Sequence, residues 1–163
     1  MNCTLCNRPD TSHPYCLDCW NALGICKVVD NLYITDDKTA RQYDKLRSLK
    51  ISQILTVGSE LPLHDTTEFK TMHISIDDDP KENIADWFNI AHRFIQDGST
   101  LVHCYAGISR SATIVISYLM CMHKMPIHVA LNHCVKCRPV IAPNRGFMRQ
   151  LLKYHRELRK TRG

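Results

Sequence analysis

The chain predicts an α/β domain built on a largely parallel sheet flanked by helices. Three observations point there. Short apolar segments with strand character alternate with stripes of helical period from Lys27 onward. The 163 residues make one domain with a core, plus a small appendage. With 44% apolar and 23% charged residues, the chain has enough apolar surface to fold and is not a disordered segment.

Taken in order, Asn31-Leu32-Tyr33-Ile34-Thr35 reads as a short strand. Ala40, Tyr43, Leu46 and Leu49 recur at helical spacing, and Ile51 to Val57 is an apolar, β-branched run. Met72, Ile74 and Ile76 alternate with polar neighbours, as in a half-buried strand. Asn83 followed three residues later by Asp86 predicts a capped helix start. Ile84, Trp87, Phe88, Ala91, Phe94 and Ile95 give its buried stripe, and Gly98 its end. Thr100-Leu101-Val102 predicts a central strand, and Ile114 to Met122 an almost wholly apolar helix. Two more helices follow, one around Ala130, Leu131, Cys134 and Val135 that stops before Pro139, the other carrying Phe147, Leu151, Tyr154 and Leu158. Connected strands and helices in this order imply helices on both faces of the sheet.

The formal charge of +5 suits an acidic or phosphorylated ligand without implying nucleic acid, and the cations Lys153, Arg156, Arg159, Lys160 and Arg162 read as a solvated helix face. No apolar run approaches the roughly 20 residues of a membrane span, and the first residues lack the apolar core of a signal peptide. The expectation is an intracellular protein, cytoplasmic and/or nuclear. In a reducing compartment its nine cysteines are then metal ligands, catalytic thiols or core residues rather than disulfides.

Residues 1–26 form a separate arm, with the domain at 27–163. In the arm, Cys3-x2-Cys6 and Cys16-x2-Cys19 are two paired knuckles of the kind that hold structural zinc in four thiolates. Nine residues separate the pairs, fewer than in the commoner pattern. The competing readings are free thiols, or disulfides were the protein exported. So short an arm needs the metal to fold. Cys134-x2-Cys137 lies in a helix and reads as one core and one surface thiol.

The segment Val102-His103-Cys104-Tyr105-Ala106-Gly107-Ile108-Ser109-Arg110-Ser111 lies between a buried strand and a buried helix, at the strand's carboxyl end. Successive N–H groups of Tyr105, Ala106, Gly107, Ile108, Ser109 and Arg110, backed by a helix N-terminus, can cradle a tetrahedral anion. Gly107 permits the bend. The potential that attracts phosphate also favours a thiolate at Cys104. Arg110 can grip two phosphate oxygens with its planar fork. Ser111 can hydrogen-bond the sulfur and stabilise it as a leaving group, and His103 orients the loop. A proton donor is also required, and Asp77, Asp78 and Asp79 stand together after a strand. Chemistry alone does not choose among them.

HCYAGISRS resembles the signature of cysteine-based protein tyrosine phosphatases, and the following SATIVISYLM is similar to the dual-specificity branch, particularly MAP kinase phosphatases. The likeness runs from about Val28 to Leu158 and takes in NLYI, ISIDDDPKENIADWF and IAPNRGFMRQLLKY. It implies a protein tyrosine phosphatase-like fold and hydrolysis of phosphotyrosine and phosphoserine or phosphothreonine in proteins. It implies a phosphocysteine on Cys104 and no catalytic cofactor. The family's acid precedes an Asn-Ile helix start by five residues, which selects Asp78, with Asp79 as runner-up. The Cys-rich arm departs from the family pattern. Other readings are a phosphatase of RNA 5′ ends or phosphoinositides, with nucleic acid as partner, and a phospho-binding zinc adaptor. Oligomeric state is not legible in the sequence.

Overall fold

A computed structural model describes residues 1–3, 6–9 and 17–163. Its centre is a five-stranded sheet in the order β1-β2-β5-β3-β4: β1 Cys26–Val29, β2 Leu32–Thr35, β3 Gln53–Val57, β4 Lys70–Ile74 and β5 Thr100–His103. β1 is antiparallel to β2; every other pairing is parallel. The sheet is thus largely parallel, with one antiparallel edge. That edge strand has no counterpart in the predicted strands: four residues with two valines give too short an alternation. It is closed onto β2 by Asp30 and Asn31, the latter at φ 63°.

Seven helices are described: α1 Leu17–Ala22, α2 Asp37–Ala40, α3 Tyr43–Ser48, α4 Phe88–Gln96, α5 Arg110–Met122, α6 Ile127–Cys137 and α7 Arg145–Arg162. The central strands β3 and β5 are buried on both faces, while the edge strand β4 is partly exposed. On β5, Val102 faces the larger core with Ile114, Val115 and Leu119 of α5, while Leu101 faces Ala40, Leu46 and Ile54 on the other side. Six apolar side chains of α5, Ala112, Ile114, Val115, Ile116, Leu119 and Met120, are wholly excluded from solvent. Burying an aliphatic side chain contributes roughly 1.5–3 kcal/mol, so α5 is anchored far more firmly than its 13 residues could be by helix propensity alone.

Two predicted helices differ in detail. The stripe at Ala40 to Leu49 is two short helices, because the Asp36 carboxylate accepts the Thr39 N–H and starts α2 early, and α3 begins afresh at Tyr43. Before α4, Ile84–Trp87 is a 3-10 turn, and Asn83 makes no capping hydrogen bond. Gln150 of α7 takes the Ala85 N–H through Oε1 at 3.0 Å instead, a tertiary contact that replaces the local cap. Gly98 does not close α4; Asp97 does. On α6 Cys134 is buried, as read, whereas Cys137 is half-buried rather than a surface thiol.

α7 approaches the β4–α4 connection so closely that a Cβ on Gly146 would lie 1.9 Å from the Pro80 carbonyl oxygen. Gly146→Ala is therefore expected to push the backbone at Pro80 aside, costing ~1–3 kcal/mol as overpacking does. Urea unfolding checks it; an unchanged midpoint would show that this contact is not tight.

Candidate active site

The carboxyl ends of four parallel strands meet at one place. β5 runs into Cys104, β2 into Asp36 and Asp37, β3 into Gly58-Ser59-Glu60, and β4 into Ile76-Asp77-Asp78. Asp78, Cys104, Tyr105, Ala106, Ile108, Ser109 and Arg110 line a cavity of about 190 Å³.

The loop from Cys104 to Ser109 is held from outside at each carbonyl. His103 Nδ1 donates to the Cys104 oxygen at 3.2 Å, and the Asp37 N–H to the Tyr105 oxygen at 3.0 Å. Arg138 donates from Nη2 to Ala106 at 3.0 Å and from Nε to Gly107 at 2.9 Å. The Ala142 N–H takes the Ile108 oxygen at 2.9 Å, and the Thr113 N–H and hydroxyl take that of Ser109. A peptide unit is planar and trans, so its N–H points opposite to its C=O. Carbonyls pinned outward therefore turn the following N–H groups toward the cavity, ahead of the α5 N-terminus. Gly107 is required twice over. Its φ is +67°, and a Cβ would lie 2.7 Å from the Thr35 oxygen and 2.9 Å from Arg138 Nε.

Cys104 is buried beneath this turn, its sulfur 3.1 Å from the Ser111 hydroxyl. Arg110 donates from Nη1 and Nη2 to the two Glu60 oxygens at 2.7 and 2.5 Å, and from Nη1 to the Ile76 carbonyl at 3.2 Å. Of its five N–H groups those contacts use three, leaving Nε–H and one Nη2–H, a second fork along the other edge. The Arg110 guanidinium also holds the Glu60 carboxyl below the ordinary range. Tyr105 is exposed at the rim.

Of the three aspartates, Asp78 lines the cavity. Its carboxylate accepts the Asn144 amide at 2.9 Å. The Asn144 side-chain oxygen caps α7 at Phe147 N, and its main-chain N–H donates to Ser109 Oγ, so one residue ties Asp78 to the loop. Asp77 accepts from the Ser59 hydroxyl, and Asp79 from the Lys81 N–H at 2.8 Å. Glu60, Asn144 and Arg138 are absent from the residues singled out in the sequence, since each lies more than 30 positions from Cys104 and is brought here only by the topology.

In the arm, the sulfurs of Cys3, Cys6 and Cys19 lie within 4.8 Å of one another. Asn7 at φ 59° turns the chain so that the Cys3 N–H meets the Arg8 carbonyl at 2.7 Å and the Asn7 N–H meets that of Cys3 at 2.8 Å. The Arg8 backbone amide lowers the Cys6 thiol from its ordinary value. Tetrahedral Zn–S bonds of about 2.3 Å set sulfurs about 3.8 Å apart, inside the 4.8 Å that bounds this trio. Cys16 lies outside the described residues.

Behind the loop, the Cys104 carbonyl can only accept, so His103 carries its proton on Nδ1. His103 Nε2 then faces the Thr56 hydroxyl and His64 Nε2, both at 2.9 Å, and His64 Nδ1 meets the Tyr43 hydroxyl at 2.9 Å. Burial lowers His64 to about 4 and His103 to about 3, and burial in the core lowers His92, bonded to Ser117, to about 4. The unfolded chain protonates these rings near 6.5, whereas the folded chain resists until far lower pH. Stability should thus be complete above about pH 6.5 and fall as pH drops toward 4. Urea titrations across that window check it, and His64→Gln should make the fall shallower. A flat profile would contradict it.

The family model of the dual specificity phosphatase catalytic domain matches residues 32–157. A probable dual specificity protein phosphatase of Dictyostelium discoideum is 37% identical over 139 residues, 83% of this chain and 65% of its own length. Human dual specificity protein phosphatase 1 is 33% identical over 92% of this chain and 43% of its own. The chain thus spans less than two thirds of either relative. The crystal structure of DUSP15 superimposes with a TM-score of 0.76 at 31% identity, covering 84% of this chain and 96% of that one. With the loop, the sheet and the matched span in agreement, the chain belongs to the dual specificity phosphatase catalytic domain family.

Proposed function

We propose that this protein hydrolyses phosphotyrosine and phosphoserine or phosphothreonine in protein substrates through a phosphocysteine on Cys104. The observation that supports it most directly is the convergence of the Cys104 sulfur, Arg110 and Asp78 on one small cavity beneath outward-held loop carbonyls. The Cys104 thiolate attacks phosphorus in line and forms an S–P bond as the P–O bond to the substrate breaks. Asp78 gives its proton to the departing oxygen. The N–H groups of Tyr105 to Arg110 and the free fork of Arg110 hold the equatorial oxygens of the transferring phosphoryl group. Tyr105 at the rim meets the substrate chain. Asp78, now a carboxylate, takes a proton from the water that attacks the phosphocysteine. The S–P bond breaks to inorganic phosphate and the thiolate, which the Ser111 hydroxyl stabilises. His103 acts by holding the Cys104 carbonyl, not by moving protons.

All these groups belong to the chain, and no step needs a cofactor. In the arm, Cys3, Cys6 and Cys19 would hold a structural zinc ion, with Cys16 supplying the fourth thiolate on the sequence pattern. The division at 26/27 follows the same reading, although Cys26 is already the first residue of β1. Among the described residues no helix is long and apolar enough to cross a membrane. On the same reading the protein works in a reducing, intracellular compartment, cytoplasmic and/or nuclear.

Cys104→Ser should abolish turnover of an aryl phosphate. Asp78→Asn should slow hydrolysis of phosphoserine peptides by ~10²-fold or more, since that is what a general acid contributes, while sparing esters with good leaving groups. The same profile in Asp79→Asn would reassign the acid. Phosphopeptides assayed beside triphosphorylated RNA and a phosphoinositide name the substrate class; faster turnover of either of the last two would overturn the protein-phosphatase reading.

A further inference from the structure

Arg138 ranks first by volume among the fully buried side chains, and it is a cation. Burying a guanidinium is costly unless its donors are met. Among the described residues its donors are met in two places. On one side they hold the Ala106 and Gly107 carbonyls, at 3.0 and 2.9 Å. On the other, Nη1 reaches the Gly24 carbonyl at 3.3 Å and the Cys26 sulfur at 3.6 Å. Asp36, itself buried, supplies the counter-charge at 3.8 Å.

The second place is where the cysteine arm joins the sheet. Cys19 lies in α1, whose end is closed by the Leu23 N–H donating to the Cys19 carbonyl at 3.2 Å. Gly24 follows at φ +64°, and its carbonyl accepts both Arg138 and the Thr35 hydroxyl, the latter at 2.8 Å. Thr35 in turn is the residue whose own carbonyl lies against Gly107. Four residues therefore separate a thiol of the cluster from the carbonyl that positions Arg138, and one side chain separates that carbonyl from the loop.

We infer that the thiol cluster is a metal-dependent brace for the oxyanion cradle. A thiophilic divalent cation held by Cys3, Cys6 and Cys19 fixes α1 and with it the Gly24 carbonyl. Gly24 sets Arg138, and Arg138 keeps two loop carbonyls out of the cavity, so that the Gly107 and Ile108 N–H groups face the anion. Arg138 is a positioning residue: it acts on substrate only through the loop. The inference deepens the phosphatase reading and rests on it for the identity of the anion.

The test uses the full chain, reduced, as purified with zinc and after stripping with a chelator that is then removed. Zinc content, tungstate affinity by calorimetry and aryl phosphate turnover are measured on both. The brace predicts zinc bound at one per chain, and tungstate affinity at least about tenfold weaker when stripped, a fraction of what deleting one oxyanion donor costs. Zinc alone should restore it. Cys6→Ser should mimic stripping, and Arg138→Met with zinc present should bind tungstate weakly with no further response to stripping. If Arg138→Met does not fold, hydrogen exchange of the Gly107 and Ile108 amides in the wild type should rise on stripping. Zinc bound with tungstate affinity and amide exchange unchanged by its removal overturns the inference, as does failure to bind zinc. Tungstate affinity that follows zinc without any ester turnover would sink the phosphatase reading and leave the brace standing.

Discussion

The peptide units between Cys104 and Arg110 have to keep their carbonyl oxygens away from the cavity, because an oxygen turned inward would repel any anion held there. Nothing within six residues of turn can enforce that. The restraint comes from outside, through donors on five different segments: His103, the Asp37 amide, Arg138, the Ala142 amide and the first turn of α5. Each is individually worth about 1 kcal/mol in net stability, but each also fixes the direction of one amide. The cradle is then set before any ligand arrives, and no reorganisation is required when charge develops on it.

The parallel sheet makes this possible. Strands that run the same way finish at the same edge, so the residues after β2, β3, β4 and β5 are neighbours in space although they are spread over the sequence. Glu60 engages the end of the Arg110 fork and leaves its side free. Asn144 couples α7 to Asp78 and to Ser109. The buried α5 holds the loop's far end so that the site is rigid where it must be. The same arrangement places Arg138 between the loop and the arm, which would give a metal held by the thiol cluster a physical route to the cradle.

Much of this was legible in the letters, and the limits have identifiable causes. Cys104, Gly107, Arg110 and Ser111 lie on one strand-turn-helix unit, so local spacing carried the whole of their geometry. Asp78 needed the family likeness, because three adjacent aspartates are chemically alike until the fold assigns Asp77 to Ser59 and Asp79 to the turn at Lys81. Arg138 and Glu60 were not legible. An arginine in a chain with 21 basic residues is ordinarily at the surface, and only tertiary structure shows this one to be enclosed. The helix starts at Asn83 and within Ala40 to Leu49 were misread for a related reason: a partner from elsewhere in the chain, or an earlier cap, displaced the local signal. The cysteine pairs gave the knuckle at Cys3 and Cys6 and its convergence with Cys19, while Cys16 lies outside the described residues.

The proposed catalysis rests on a covalent bond between one sulfur and phosphorus. Rapid mixing of the protein with an excess of aryl phosphate, acid quenching and mass spectrometry of the digest would read it directly. The expected result is a phosphate carried on the Cys104 peptide, rising within the first turnover together with a burst of the phenol. Turnover at full rate with no label on that peptide, or with the label on another residue, would contradict it.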